Sequence, residues 1–282
     1  MSKAAPSASF QPSGIITLTS DYGHRDPFVG VMKGQVLCRF PAARLVDLTH
    51  EILAHWPAEA GFWLGRSYGY FPRGTVHLAV VDPGVGSPRD IAVVEAEGQL
   101  FLAPDNGLLA GVLERLQSTP ILRRLEDGVL RGMGILQPSA TFHGRDIFAP
   151  LAAELAAGRL RPESLGPVVR GLVPGCLAKP VLAGGQLSGV VVTVDHFGNL
   201  LTNLDATLVA QVAAPVVRAG GKEFPLRRTY ADVLPGEYVA LINSFGVLEV
   251  ARAEKSAAEG LGLTRGAPIV VSPRHCAAKR IG

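Results

Sequence analysis

The segment Asp82-Pro83-Gly84-Val85-Gly86-Ser87-Pro88-Arg89 sets a carboxylate and a guanidinium at the two ends of a loop rich in glycine and proline. Such a loop can fold back so that the two charges meet. An Asp–Arg pair by itself is an ordinary salt bridge. In Thr141-Phe142-His143-Gly144-Arg145-Asp146 an imidazole stands just ahead of a helix start, where a side chain can project into a cleft. A lone histidine serves equally well as a satisfied hydrogen-bonding residue. Two more acidic segments precede these: Ser20-Asp21-Tyr22-Gly23 with Asp26-Pro27, and Asp47 with Thr49-His50-Glu51. Asp, Gly and Pro terminate strands for local reasons. Three carboxylates at three successive strand ends are harder to dismiss, because like charges brought together need a partner or a ligand. Residue types and spacing thus describe an α/β enzyme with an Asp/His/Arg site of open substrate.

The elements that must position these groups alternate. Strands are expected at 15–19, 44–48, 75–81, 91–95 and 100–103, short runs rich in β-branched or other apolar residues that end at turn-formers or polar residues. Between them Val29, Met32, Val36, Leu37 and Phe40 recur at roughly helical spacing. Asn106 is expected to cap a helix running through Leu108, Leu109, Val112, Leu113 and Leu116. A further helix is expected over 146–157, with Gly158 as its stop. The pattern predicts an α/β fold with a central, mostly parallel sheet whose ligands gather beyond the carboxyl ends of the strands. After Pro167 short strands predominate, at 190–195, 215–218, 238–243, 247–251 and 269–272, and suit a smaller antiparallel β-barrel-like domain. The expected organisation is an α/β domain over 14–170, a linker at 167–185 and a β-barrel domain over 186–274.

Composition narrows the class. The 282 residues suffice for two domains with a proper core. A net charge of +3 with scattered basic residues argues against nucleic acid as a partner. Cys38, Cys176 and Cys276 are too few and too far apart for a zinc ribbon or a disulfide framework. The N-terminal segment has no apolar signal-peptide core and no apolar run reaches membrane-spanning length, so a cytoplasmic protein without a membrane partner is expected.

The ordered set Thr19-Ser20-Asp21-Tyr22-Gly23, Val46-Asp47-Leu48-Thr49-His50-Glu51-Ile52, Val81-Asp82-Pro83-Gly84-Val85-Gly86, Ala103-Pro104-Asp105-Asn106-Gly107, Thr141-Phe142-His143-Gly144-Arg145-Asp146, Asp195-His196-Phe197-Gly198-Asn199 and Ile242-Asn243-Ser244-Phe245-Gly246 resembles the S-adenosylmethionine hydroxide adenosyltransferase family. That family is related to the S-adenosylmethionine-dependent fluorinases and chlorinases. The resemblance runs from about residue 14 to 272. Each motif is weak alone, and seven in order are specific.

The resemblance implies hydrolysis of S-adenosylmethionine to adenosine and methionine by in-line attack of water or hydroxide at the ribose C5′, with no metal and no cofactor besides the substrate. It puts a catalytic triad on Asp82, Arg89 and His143. Arginine is no base, so Asp82 or His143 must orient the water and take its proton. The resemblance further implies that Asp21 binds the ribose hydroxyls, that Asp26, Asp195 and Ser244 hold the methionine amino and carboxylate groups, and that Asn199 meets the adenine edge beside the aromatic faces of Phe197 and Tyr230. It also implies a homotrimer with sites at subunit interfaces. The halogenating relatives carry Tyr at the Asp82 position, Tyr-Ser at His143-Gly144, and an insertion before the Ala103 segment that this chain lacks. A carboxylate at the halide position would repel the anion, which favours hydrolysis. After His50-Glu51-Ile52 the chain reads Ala54-His55-Trp56, where either His55 or Trp56 can line the pocket.

Two rivals stand beside this reading. A metal-dependent hydrolase would gather Asp21, Asp47, His50, Asp82 and His143 around a cation. Chelator-insensitive activity would count against it. A non-catalytic adenosine or S-adenosylmethionine sensor would keep Asp21 and Asn199 without needing the triad, and would bind without turnover.

Overall fold

Alternation along the strands decides the architecture of the N-terminal half. The computed structural model describes residues 9–274. Residues 1–8 of the polar N-terminal segment, and Cys276 with the basic C-terminus beyond 274, lie outside the described residues. In chain order the first elements are β1 (Ile15–Ser20), α1 (Phe28–Arg39), β2 (Arg44–Thr49), α2 (Pro57–Ser67), β3 (Val76–Val80), β4 (Ile91–Ala96) and β5 (Gln99–Pro104). They continue with α3 (Ala110–Leu113), β6 (Ile121–Arg124), α4 (Asp127–Gly132) and α5 (Ala149–Ala156). The sheet has the order β2-β1-β3-β5-β4-β6. Its first four strands are parallel, as expected. β4 runs antiparallel to both its neighbours. The turn Glu97-Gly98, with φ of 53° and 74°, supplies the left-handed pair that a two-residue hairpin needs.

Successive residues face opposite sides. Ile16, Leu18, Val76, Leu78 and Val80 join Met32 and Val36 of α1 and Leu151 and Leu155 of α5 in one core. Ala79, Val81, Val94 and Phe101 join Leu64 of α2 and Val112 of α3 in the other. Helices therefore cover both faces of the sheet, and its strand ends remain open for a ligand.

One helix expectation is corrected, and a second holds with a different start. Asn106 does not cap a helix reaching Leu116. Its amide donates to the Val81 carbonyl (2.8 Å) and its oxygen accepts from Leu108 N–H (3.2 Å). Gly107 follows with φ +90°, so only Ala110–Leu113 is helical. The helix expected over 146–157 instead begins as a π-turn at Gly144–Phe148 and continues as α5, stopping before Gly158 at φ +71°. α2 had no clear signal because Gly61 and Gly65 interrupt its apolar pattern. Those glycines let it approach α3: a Cβ at Gly61 would run into the Leu108 carbonyl, and one at Gly65 into that of Gly111.

The chain divides into two units, the first ending at Cys176 and the second starting at Leu177. The second contains β7 (Val181–Ala183), β8 (Gln186–Val194), β9 (Leu200–Asp205), α6 (Ala206–Val209), β10 (Pro215–Ala219) and β11 (Lys222–Arg227). It ends with β12 (Tyr238–Ile242), β13 (Val247–Arg252), α7 (Ala257–Leu261) and β14 (Pro268–Pro273). β14 pairs with both β10 and β8, closing seven strands into a barrel-like ring with β7 on the edge of β8. The expected antiparallel pairing fails at one place, β11 with β12, which are parallel. The connection between them carries its own 3-10 turn, Tyr230–Asp232, and is long enough to return the chain in the same direction.

One polar pin crosses the first sheet. Gln99 donates its amide to the carbonyls of Tyr68 (3.4 Å) and Phe71 (3.1 Å), so its oxygen accepts from His77 Nε2. His77 Nδ1 then accepts from the Thr17 hydroxyl (2.8 Å). Burial pushes the His77 imidazole down to about 4. Because the folded state refuses a proton that the unfolded chain accepts near pH 6.5, stability is full above that pH and declines as pH falls toward 4. The decline attributable to His77 should reach roughly 3 kcal/mol, and His77→Gln should remove it from urea-unfolding curves taken across this range. Gly61→Ala, which forces α2 from α3, should cost about 1–3 kcal/mol in the same assay.

Candidate active site

Asp82 leaves the end of β3, where the Asn106 amide holds the Val81 carbonyl. The loop that follows turns through Val85 N–H to the Asp82 carbonyl (3.2 Å) and Ser87 N–H to that of Gly84 (3.1 Å). Gly86, at φ +80°, lies so close to Ala140 that a Cβ would strike its carbonyl oxygen. That approach brings the 82–89 loop against the segment leading to His143. Arg89 meets Asp82 through two parallel bonds, Nε to Oδ1 (2.7 Å) and Nη2 to Oδ2. The same Nη2 donates to His143 Nδ1 at 3.1 Å. The Asp82 side chain is 5% exposed and that of Arg89 10%. The guanidinium also lies over the buried Phe148 ring.

This bridge determines a tautomer. Nδ1 of His143 accepts from Arg89, so the neutral ring carries its proton on Nε2. Burial and then the Arg89 charge push the imidazole below its ordinary value, outweighing Asp82 and Asp146. The ring is neutral at pH 7, and its Nδ1 lone pair is already engaged.

A cavity of about 520 Å³ opens beside the triad, lined among others by Asp21, Tyr22, Phe28, His55, Asp82, Val85, Phe142, Gly144 and Arg145. Its size suits a nucleoside-sized ligand. Asp21, at the end of β1, accepts from the backbone N–H of His55 through Oδ2 (2.9 Å). His55 adopts φ 65°, a left-handed conformation uncommon outside glycine, and that strain aims its N–H at the carboxylate. His55, not Trp56, lines the cavity; Trp56 instead precedes α2. Tyr22 fills the space that a side chain at Gly144 would need. Burial, with Asp21 and Asp82 nearby, drives its phenol far upward, so it stays a neutral donor.

The remaining strand-end carboxylate is engaged elsewhere. Asp47 binds Lys33 at 2.5 Å and lies 3.1 Å from His50 Nε2, while His50 Nδ1 meets the Ser20 hydroxyl at 2.7 Å. Burial pushes the Asp47 carboxyl up, and Lys33 and His50 outweigh it to leave it low. Among the described residues no three His, Cys, Asp or Glu side chains form a group that could hold a metal ion. The Asp21, Asp47, His50, Asp82 and His143 cluster of the metal reading is thus not assembled. Asp26 sits on the exposed turn before α1.

On the second unit Asp195 accepts from the N–H groups of Phe197 (2.9 Å) and Asn199 (2.8 Å) and from the Asn199 amide (3.0 Å). Asn199 is buried, Phe197 and Ser244 are exposed, and the Tyr230 hydroxyl donates to Glu249 at 2.7 Å. Glu249 escaped the sequence reading, although a carboxylate inside the apolar run of β13 was a visible signal. It is 2% exposed and also accepts from the Asn243 amide (3.0 Å), which orders the turn carrying Ser244. Burial raises the Glu249 carboxyl, and Asp195 adds to the rise against the two hydrogen bonds.

An α/β unit with a largely apolar cavity that carries a few convergent polar groups beyond its strand ends, followed by a β-barrel unit, defines an enzyme of small-molecule chemistry. The chain belongs to the SAM hydroxide adenosyltransferase family: the model of the family's N-terminal domain matches residues 16–166 and that of its C-terminal domain residues 189–270. It is 40% identical over 255 residues to the (R)-S-adenosyl-L-methionine hydrolase of Thermus thermophilus, covering 89% of this chain and 96% of that protein. A fluorinase of an Actinoplanes species is more distant, 30% identical over 92% of this chain and 97% of its own. The crystal structure of an uncharacterised conserved protein from Thermotoga maritima superposes with a TM-score of 0.81 at 34% identity, covering 92% of this chain and 99% of that one. No helix among the described residues is long and apolar enough to cross a membrane.

The bridge has a direct spectroscopic consequence. His143 should titrate below 6.5 in an NMR titration of its ring protons. Arg89→Met removes a lowering charge and leaves Asp82 unpaired, so the midpoint should move upward; an unchanged midpoint would mean that the bridge is absent in solution.

Proposed function

We propose that this enzyme hydrolyses S-adenosyl-L-methionine to adenosine and L-methionine by in-line attack at the ribose C5′. The observation that carries this reading is the Arg89 bridge, which clamps Asp82 at the cavity wall and engages Nδ1 of His143. With that lone pair occupied, Asp82 is the group left to accept a proton from water. The water oxygen forms a bond to C5′ as the C5′–S bond breaks, and sulfur keeps the electron pair as the methionine thioether. The water proton passes to Asp82 and then to solvent. Arg89 keeps Asp82 in place, and the neutral His143 ring holds the other side of the guanidinium. The substrate's positive charge makes sulfur a good leaving group, so a positioned nucleophile suffices and no metal or further cofactor is invoked.

Asp21, with one oxygen held by His55, offers the other to the ribose hydroxyls. Asp26, Asp195 and Ser244 serve the methionine end; Asn199, Phe197 and Tyr230 serve adenine. The family resemblance supports a homotrimer with sites at subunit interfaces, and a cytoplasmic protein. The relatives' names support the (R) configuration at sulfur, so both epimers belong in the assay.

Purified protein incubated with S-adenosylmethionine in EDTA and chloride should release adenosine and methionine in equal amounts, with no 5′-chlorinated nucleoside on chromatography. Asp82→Asn and His143→Ala should lower kcat by roughly 10²–10⁴ with little change in binding. Asp21→Asn should mainly raise KM. Unchanged substrate, or wild-type turnover by His143→Ala, would overturn the assignment.

A further inference from the structure

S-adenosylmethionine ends in a zwitterion, and its carboxylate calls for a cation or an array of donors. The residues assigned above to substrate are three carboxylates, two aromatics, an asparagine and a serine; Ser244 can supply one donor at the methionine end, but none is cationic. Arg89 is committed to Asp82 and His143. Among the residues lining the cavity one arginine remains, Arg145.

Arg145 is held in place. Its Nε and Nη2 donate to Asp146 Oδ1 and Oδ2 at 2.5 and 2.8 Å. Asp146 is itself fixed by the Ser139 N–H at 2.8 Å. The guanidinium lies over the Phe142 ring, 5.1 Å from its centre. Two nitrogens are thus tied back and one face is packed, while Nη1 has no partner among the described residues. Ser139, Thr141 and Phe142 line the same cavity. A fork ordered in this way loses little side-chain freedom on binding an anion. The Asp146 hydrogen bonds keep the guanidinium fully charged.

We infer that Arg145 binds the carboxylate of the substrate's amino-acid end through its free Nη1 edge. It thereby selects α-amino-acid sulfonium compounds over those that lack the carboxylate. The inference rests on the hydrolase reading, since it takes the methionine end from it.

The test compares S-adenosylmethionine with its decarboxylated analogue, which keeps the sulfonium, the adenosine and the amine. Arg145→Met should raise KM for S-adenosylmethionine roughly 10- to 100-fold. It should leave kcat within about 3-fold and the KM of the decarboxylated analogue within about 2-fold. Arg145→Lys, which keeps the charge without the fork, should recover part of the loss for the carboxylate substrate alone. An equal KM rise for both compounds would mean that Arg145 only braces the 139–146 segment, and no change for either would mean that it is a bystander; both outcomes overturn the inference. Calorimetric titration of the wild type and Arg145→Met with both compounds reads the carboxylate preference without turnover. A wild type that binds but does not cleave would sink the hydrolase reading and leave the Arg145 comparison decisive.

Discussion

One guanidinium organises the site. Arg89 joins a carboxylate at the end of a strand to an imidazole from a segment more than fifty residues away, and each contact sets the state of a partner. Asp82 is held in a bidentate grip that fixes its plane. His143 is held neutral, with its proton assigned to the outer nitrogen. Losing Arg89 would free two loops together, because the 82–89 turn and the segment before α5 meet at its side chain. The glycines nearby are consequences of that meeting: Gly86 lets the two backbones touch, and Gly144 makes room for Tyr22.

Like charges at adjacent strand ends would be costly in a partly buried cleft unless each were answered. Each has its own answer. Asp21 takes a backbone N–H from a strained His55, Asp47 takes Lys33 with His50 beside it, and Asp82 takes Arg89. The groups are separated into independent pairs, and only the first and last of these carboxylates line the cavity. The Ser20–His50–Asp47 array, which by residue type resembles a nucleophilic triad, is buried at its serine and histidine and braces the exits of β1 and β2.

On the barrel unit a second polar network shows the same logic. Asp195 spends its oxygens on its own loop, and Glu249 anchors both Tyr230 and Asn243 from inside β13. Burial and the nearby Asp195 raise the Glu249 carboxyl, while its two hydrogen bonds hold it in place.

The sequence alone determined the α/β alternation, the barrel-like second half and the order of the seven motifs, because strand patterning and turn chemistry are local and survive in residue order. It also named Asp82, Arg89 and His143, whose types limit what they can do wherever they meet. Only the tertiary structure decided that Arg89 touches both partners, which engages the Nδ1 lone pair of His143. It likewise decided that His55 rather than Trp56 faces the cavity, that Asn106 holds β3 instead of capping a helix, and that β11 runs parallel to β12. The free edge of Arg145, and the partners of the conspicuous carboxylate of Glu249, could not be read from the sequence for the same physical reason. Which lone pair is free, which edge is unpaired and which carboxylate is buried are properties of neighbours brought together by folding, and no spacing along the chain records them.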